Sequence, residues 1–285
     1  MIKNKKGKLV LFIIEVLLIT FQALTIWLRV YKEYYLIYDW IFYGINYIII
    51  ILLCLPYGKN RFVKWIQLTI ALILLAANTT FFYYVGYVNT VVSKSADNKH
   101  ELILKEYKNM NFETVRLKRR WLIWGKKVDN LMGSSKYKAI EKGTYKIEWI
   151  SVDNAVVTYQ TGSKSTLQQS IFSYRSTDYI SYKSVTASLT GKWFEKDNTN
   201  NYFMVNRSMI IYAKDGQLYY YNINDTKQQG VSSIIVTGDS SKPSFTVVLN
   251  SDCIIGNNGL IKTGGTITIS PVTLKKSTEK IYFRQ

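Results

Sequence analysis

The chain has 285 residues, with 37 Lys and Arg against 19 Asp and Glu, a net charge of +18 and 48% hydrophobic residues. This composition excludes a disordered chain, which needs few apolar and aromatic residues. Two Cys exclude a disulfide scaffold, and a single His disfavours any mechanism that needs several.

Three apolar runs fall early in the chain, at 9–28, 36–55 and 65–85. About 20 apolar residues rising 1.5 Å each cross a hydrocarbon core of about 30 Å. The runs predict three transmembrane helices and a membrane domain over 1–88. The first run is longer than the apolar segment of a signal peptide, and no small-residue cleavage site closes it, so it is expected to persist as a helix.

Lys and Arg near the span ends set the orientation. Lys3, Lys5, Lys6, Lys8, Lys59, Arg61 and Lys64 lie on the N-terminal side, against Arg29, Lys32, Lys94 and Lys99 on the other. The expectation is a multi-pass cell-membrane protein with a cytoplasmic N-terminus and an extracytoplasmic C-terminal region. Trp27, Tyr34, Tyr38 and Trp40 fit an aromatic belt at the outer interface. Abundant Lys, Ile, Asn and Tyr with three Pro suggest an AT-rich bacterial genome, and so a bacterial cell envelope.

Each span carries polar residues. Glu15 and Gln22 sit seven apart in the first, Asp39 and Asn46 seven apart in the second, and Gln67 and Asn78 eleven apart in the third. Such spacings place each pair on one helix face. Glu15, Gln22, Asn46 and Asn78 are the intramembrane polar candidates, expected to join helices or to meet a partner protein. One acid well inside three spans is too little for an ion pathway.

After the spans the period changes. The pattern Asn98-x-x-Glu101 resembles a capping box, which predicts a connecting helix over 89–112. A strand is expected over 114–124, a hairpin at 144–151 and 155–160, and a further strand at 166–174. Later strands are expected at 192–195, 209–213, 217–223, 232–237, 245–250 and 266–270. Asp215-Gly216 is a strong hairpin signal. The polar stretch 175–188 suggests a boundary between a first β-rich subdomain, 113–182, and a second, 188–285. The fold class is therefore membrane-anchored α+β: three N-terminal helices, then an all-β region of one or two small barrels or sandwiches.

Gly191-Lys192-Trp193 is a G-x-W and Thr177-Asp178-Tyr179 a T-D-Y, and both occur in lipocalins. Here their order is reversed, and too little chain follows for a full lipocalin barrel. The resemblance implies at most a shorter lipocalin-like barrel, closed by Trp193 and able to bind a small ligand.

Catalytic groups are scarce. His100 is the only His and is expected on the surface near the membrane. No clustered Cys and His suggest a metal, and residues 256–265 lack the G-K-[ST] of a phosphate loop, so no cofactor is expected. Charge remains. Arg116, Lys118, Arg119, Arg120, Lys126 and Lys127 surround Trp121 and Trp124 with no acid between. Cations beside aromatic rings grip polyanions or lie on anionic headgroups. The expected function is non-enzymatic presentation of this basic region outside the cell. Its expected targets are an anionic envelope polymer such as teichoic acid, lipid headgroups of the bilayer, or a partner membrane protein. A ligand-binding barrel is the alternative, and an accessory subunit of a secretion, DNA-transfer or transport complex a further one. Nucleic acid ranks below these partners.

Overall fold

A computed structural model describes residues 5–55, 61–162, 166–175 and 184–284. The chain forms two compact units, Met1–Ser93 with Glu101–Lys142, and Lys94–His100 with Gly143–Gln285.

The first unit opens with helix α1 (Lys5–Lys32), which ends where Glu33 turns left-handed at φ 55°. Strand β1 (Tyr34–Leu36) follows, then α2 (Trp40–Leu53) and α3 (Arg61–Phe81), which runs on into a π-helical turn, Phe82–Gly86. Strands β2 (Val88–Lys94), β3 (Glu101–Tyr107), β4 (Val115–Arg119) and β5 (Trp124–Asn130) complete a sheet of order β1-β5-β4-β3-β2. Ile37, Ile103, Tyr107, Val115 and Leu117 form its core.

Two helices are long and apolar enough to cross a membrane, Leu9–Lys32 and Arg61–Gly86. Large apolar side chains on both stay exposed, among them Phe12, Leu17, Leu72 and Ile73. The middle run does not give a full-length third span. Its helix has 14 residues, about 21 Å at 1.5 Å per residue. Leu36 is drawn into the sheet opposite Trp124, and Asp39 turns aside to pair with Lys105.

The connecting helix expected over 89–112 is instead the β2–β3 hairpin. Asn98 takes φ 58° in its turn, a conformation Asn tolerates, so it cannot serve as a helix N-cap. Ser95 and the Lys99 N–H both donate to Asp97 there. Leu102, Ile103 and Leu104 are all fully buried, so β3 lies inside the fold rather than on a half-exposed helix.

The second unit contains a three-stranded sheet, β6 (Tyr145–Ser151), β7 (Asn154–Gln160) and β8 (Leu167–Ser173). After the short helix α4 (Val185–Ser188) come β9 (Gly191–Glu195), β10 (Tyr202–Val205), β11 (Met209–Lys214) and β12 (Gln217–Asn222). A three-residue 3₁₀ turn leads to β13 (Thr226–Gln229), β14 (Ser233–Val236), β15 (Phe245–Leu249), β16 (Thr266–Pro271) and β17 (Lys280–Arg284). Every neighbouring pair is antiparallel and, except β9–β17, consecutive in sequence. The result is a nearly closed nine-stranded barrel, with β12 and β13 at its seam. Asp215 and Gly216, at φ 53° and 81°, make the β11–β12 turn that their sequence promised.

The unit boundary differs from the one expected. Strands β4 and β5 pair with β3 and β1, whereas β6–β8 fall in the barrel's unit. The T-D-Y at 177–179 lies outside the described residues.

Candidate functional site

The six cations between 116 and 127 fall on the β4–β5 hairpin rather than on one strand, and they do not act alike. Arg116 is buried and pairs with Asp129 at 3.2 Å. Burial pushes the Asp129 carboxyl up, and the Arg116 guanidinium pulls against that rise. Arg119 grips Glu101 through two bonds, at 2.6 and 3.1 Å, which raises its pKa further. These two charges are therefore matched within the unit.

Lys118 and Lys126 differ. They stand directly opposite each other across the β4–β5 ladder, and both are exposed. Like charges facing each other across strands cost stability unless an anion lies between them. Tyr34 extends the row on β1, opposite Lys126. Arg120 is exposed beside them, and Lys127 is half-buried.

The hairpin tip carries the apolar half of the site. The Arg120 and Trp121 N–H groups donate to the Trp124 carbonyl, at 3.0 and 3.3 Å, and the Ile123 carbonyl accepts from Ile37 N–H at 2.8 Å. This framework holds Trp121 stacked on Tyr34 at 5.3 Å and edge-on to Trp124 at 6.1 Å. Trp124 in turn meets Phe21, in the middle of α1, at 5.6 Å. Leu122, at the very tip, is 87% exposed. A basic row, an aromatic cluster and a projecting Leu thus lie beside a helix of membrane-spanning length. Sequence reasoning found the cations and both Trp. It placed Tyr34 in the aromatic belt but not beside the cations, where only strand pairing brings it, and it missed Leu122, which only the turn makes protrude.

The polar residues of the helices join them. Gln22 donates to the Phe42 carbonyl at 2.7 Å, Asn46 to the Asn78 side chain at 2.9 Å, and Asn78 to the Tyr43 carbonyl at 3.3 Å. Glu15 is half-buried on α1. Lys105, fully buried, contacts Asp39 and donates to the Leu36 carbonyl at 2.7 Å. Glu106, also fully buried, accepts the N–H groups of Ile140 and Glu141. These buried charges thus have partners within the unit, and sequence reasoning did not single out either residue.

In the barrel, Trp193 is fully buried and donates from Nε1 to the Leu189 carbonyl at 2.8 Å, with the Arg284 guanidinium over its ring. Phe203, Tyr212, Tyr221, Phe245 and Tyr282 pack with it, so aromatic rings fill the interior. Burial pushes the Tyr212 hydroxyl up to about 12. His100 stacks on Tyr174 at 5.0 Å. Among the described residues no three His, Cys, Asp or Glu gather as a metal would need.

The chain matches no protein-family model, no curated protein and no solved structure.

Proposed function

We propose that this is a non-enzymatic membrane-anchored protein that holds its β-rich region at the outer face of the cell membrane. There the β4–β5 hairpin engages anionic lipid headgroups. The observation that carries this reading is the hairpin itself. Lys118 and Lys126 face each other with no counter-charge paired to either among the described residues, while Trp124 packs on Phe21 of α1, Trp121 stacks on Tyr34 and Leu122 projects at the tip. Cations that prefer phosphate, beside rings and a Leu that prefer the acyl boundary, suit an interface between the two. The same arrangement favours headgroups over a soluble polyanion, which would leave Leu122 in water.

Connectivity supports a third crossing despite the short α2. The C-terminal end of α1 leads into β1 and that of α3 into β2, and both strands belong to one sheet. If both long helices span, the chain between them must cross back, through α2 and the residues after it. A thinned bilayer or flanking polar residues accommodate a short span. The excess of Lys and Arg around 3–8 and 59–64 supports a cytoplasmic N-terminus.

The test reconstitutes the full chain in nanodiscs of neutral lipid, with or without phosphatidylglycerol, and follows hydrogen exchange over 118–126 across salt. The reading expects extra protection in anionic discs, lost at high salt and in a Lys118→Glu, Arg120→Glu, Lys126→Glu variant. Equal protection in both lipids would refute it.

A further inference from the structure

A cavity of about 510 Å³ opens between α2 and α3, within the range of roughly 300–1,000 Å³ typical of ligand sites. Phe42, Asn46, Ile49 and Ile50 line it from α2, and Leu74, Ala77 and Phe81 from α3. The positions recur at helical spacing, so each helix turns one face to the cavity. The two helices run in opposite senses. Phe42 and Phe81 lie near the ends that join the sheet, and Ile50 and Leu74 lie about two turns away from those ends. The cavity is therefore a groove that descends from the sheet side into the helical layer.

Its mouth carries Arg29, from the last turns of α1. This side chain is exposed, and its guanidinium lies 5.4 Å from the Tyr35 ring. The nearby acid, Asp39, is taken by Lys105. On the groove wall the Asn46 amide donates to Asn78 Oδ1, and the Asn78 amide donates to the Tyr43 carbonyl. Among the described residues no acid forms an ion pair with Arg29, so the groove offers a cation at the top and an apolar slot below it. A cation inside or beside spanning helices is costly without an anionic partner, and basic pockets between such helices take lipid headgroups.

We propose that this groove binds one anionic lipid, its phosphate on Arg29 and an acyl chain between α2 and α3. The inference rests on α1 and α3 crossing the bilayer. It does not rest on the β4–β5 hairpin, which lies on different residues.

The test incubates the detergent-purified full chain with equimolar phosphatidylglycerol and phosphatidylcholine of identical chains, and reads bound lipid by native mass spectrometry. Wild type should retain one phosphatidylglycerol with at least about tenfold preference. Arg29→Gln should erase the preference while chains still bind. Ala77→Trp or Leu74→Trp should fill the slot and lose both lipids. Equal retention of the two lipids by wild type overturns the proposal, and that arm needs no variant to fold. Unchanged selectivity in Arg29→Gln also overturns it, as does a dimer that retains no lipid. Extraction of the cell-expressed protein by alkaline carbonate would show separately that the membrane reading had failed.

Discussion

Replacing Asp39 by Asn strands a buried ammonium. The Lys105 side chain is 0% exposed; the Asp39 carboxylate and the Leu36 carbonyl, 2.7 Å away, bind it, and the Tyr107 ring centroid lies 5.7 Å from its Nζ. The variant keeps the shape and leaves the charge with neutral acceptors only. Removing one partner of a buried pair costs about 3–5 kcal/mol, and Asn can still accept one bond, so about 3 kcal/mol is expected. Asp39→Asn with Lys105→Met removes both charges and should regain most of that loss. The pH dependence has a defined sign. Burial lowers the Lys105 pKa from 10.5, and Asp39 opposes the shift. Without Asp39 the value falls further. Between the folded value and 10.5 the unfolded chain binds more protons, so stability rises with pH across that window. Asp39→Asn should therefore recover stability as pH approaches 10.5, and the double variant should not. Thermal melts of the full chain in detergent, followed by near-UV circular dichroism, read all three effects. An Asp39→Asn melt matching wild type would refute the reasoning, as would a double variant no better than the single one.

Trp193→Ala should destabilise the barrel by about 3–5 kcal/mol, because it empties the largest fully buried site and orphans the Leu189 carbonyl; denaturant titration measures it. Gly86→Ala should loosen the helical layer, since a Cβ there would collide with the Tyr43 ring; faster hydrogen exchange in α2 is the readout. Burial raises the Cys253 thiol to about 11, so maleimide labelling at pH 7.5 should be slow and should accelerate up to about that pH. The same shift means that the folded state holds the proton longer, so Cys253 contributes stability that is lost as pH rises from 9.0 to about 11.

Much of the second unit was legible because its signals are local. Asp153-Asn154 and Asp215-Gly216 turn where their residue types allow, and the flanking alternation marks the strands. Strands β10, β13 and β17 were missed, being short and bounded by weak turns. The first unit was harder, because its sheet gathers strands from both sides of the helices. Leu36 looked like the start of a span until its partner Trp124, 88 positions later, drew it into the sheet. Residues 102–104 read as part of a helix because an Asn and a Glu three apart imitate a cap, whereas the fold buries all three in a strand. The basic hairpin was legible as composition. That Arg116 and Arg119 are neutralised, whereas Lys118 faces Lys126, depends on register, which no local pattern encodes.

The most direct measurement is the depth of the hairpin tip. A spin label at Leu122→Cys, in the full chain with Cys54 and Cys253 replaced by Ser, reports its exposure to oxygen and to a water-soluble relaxant in anionic nanodiscs. Leu218, equally apolar and 52% exposed on the barrel, serves as the control through Leu218→Cys. The account predicts a label at Leu122 that favours oxygen, as buried acyl chains do, and a label at Leu218 that favours the aqueous relaxant. Equal aqueous exposure at both positions would contradict it.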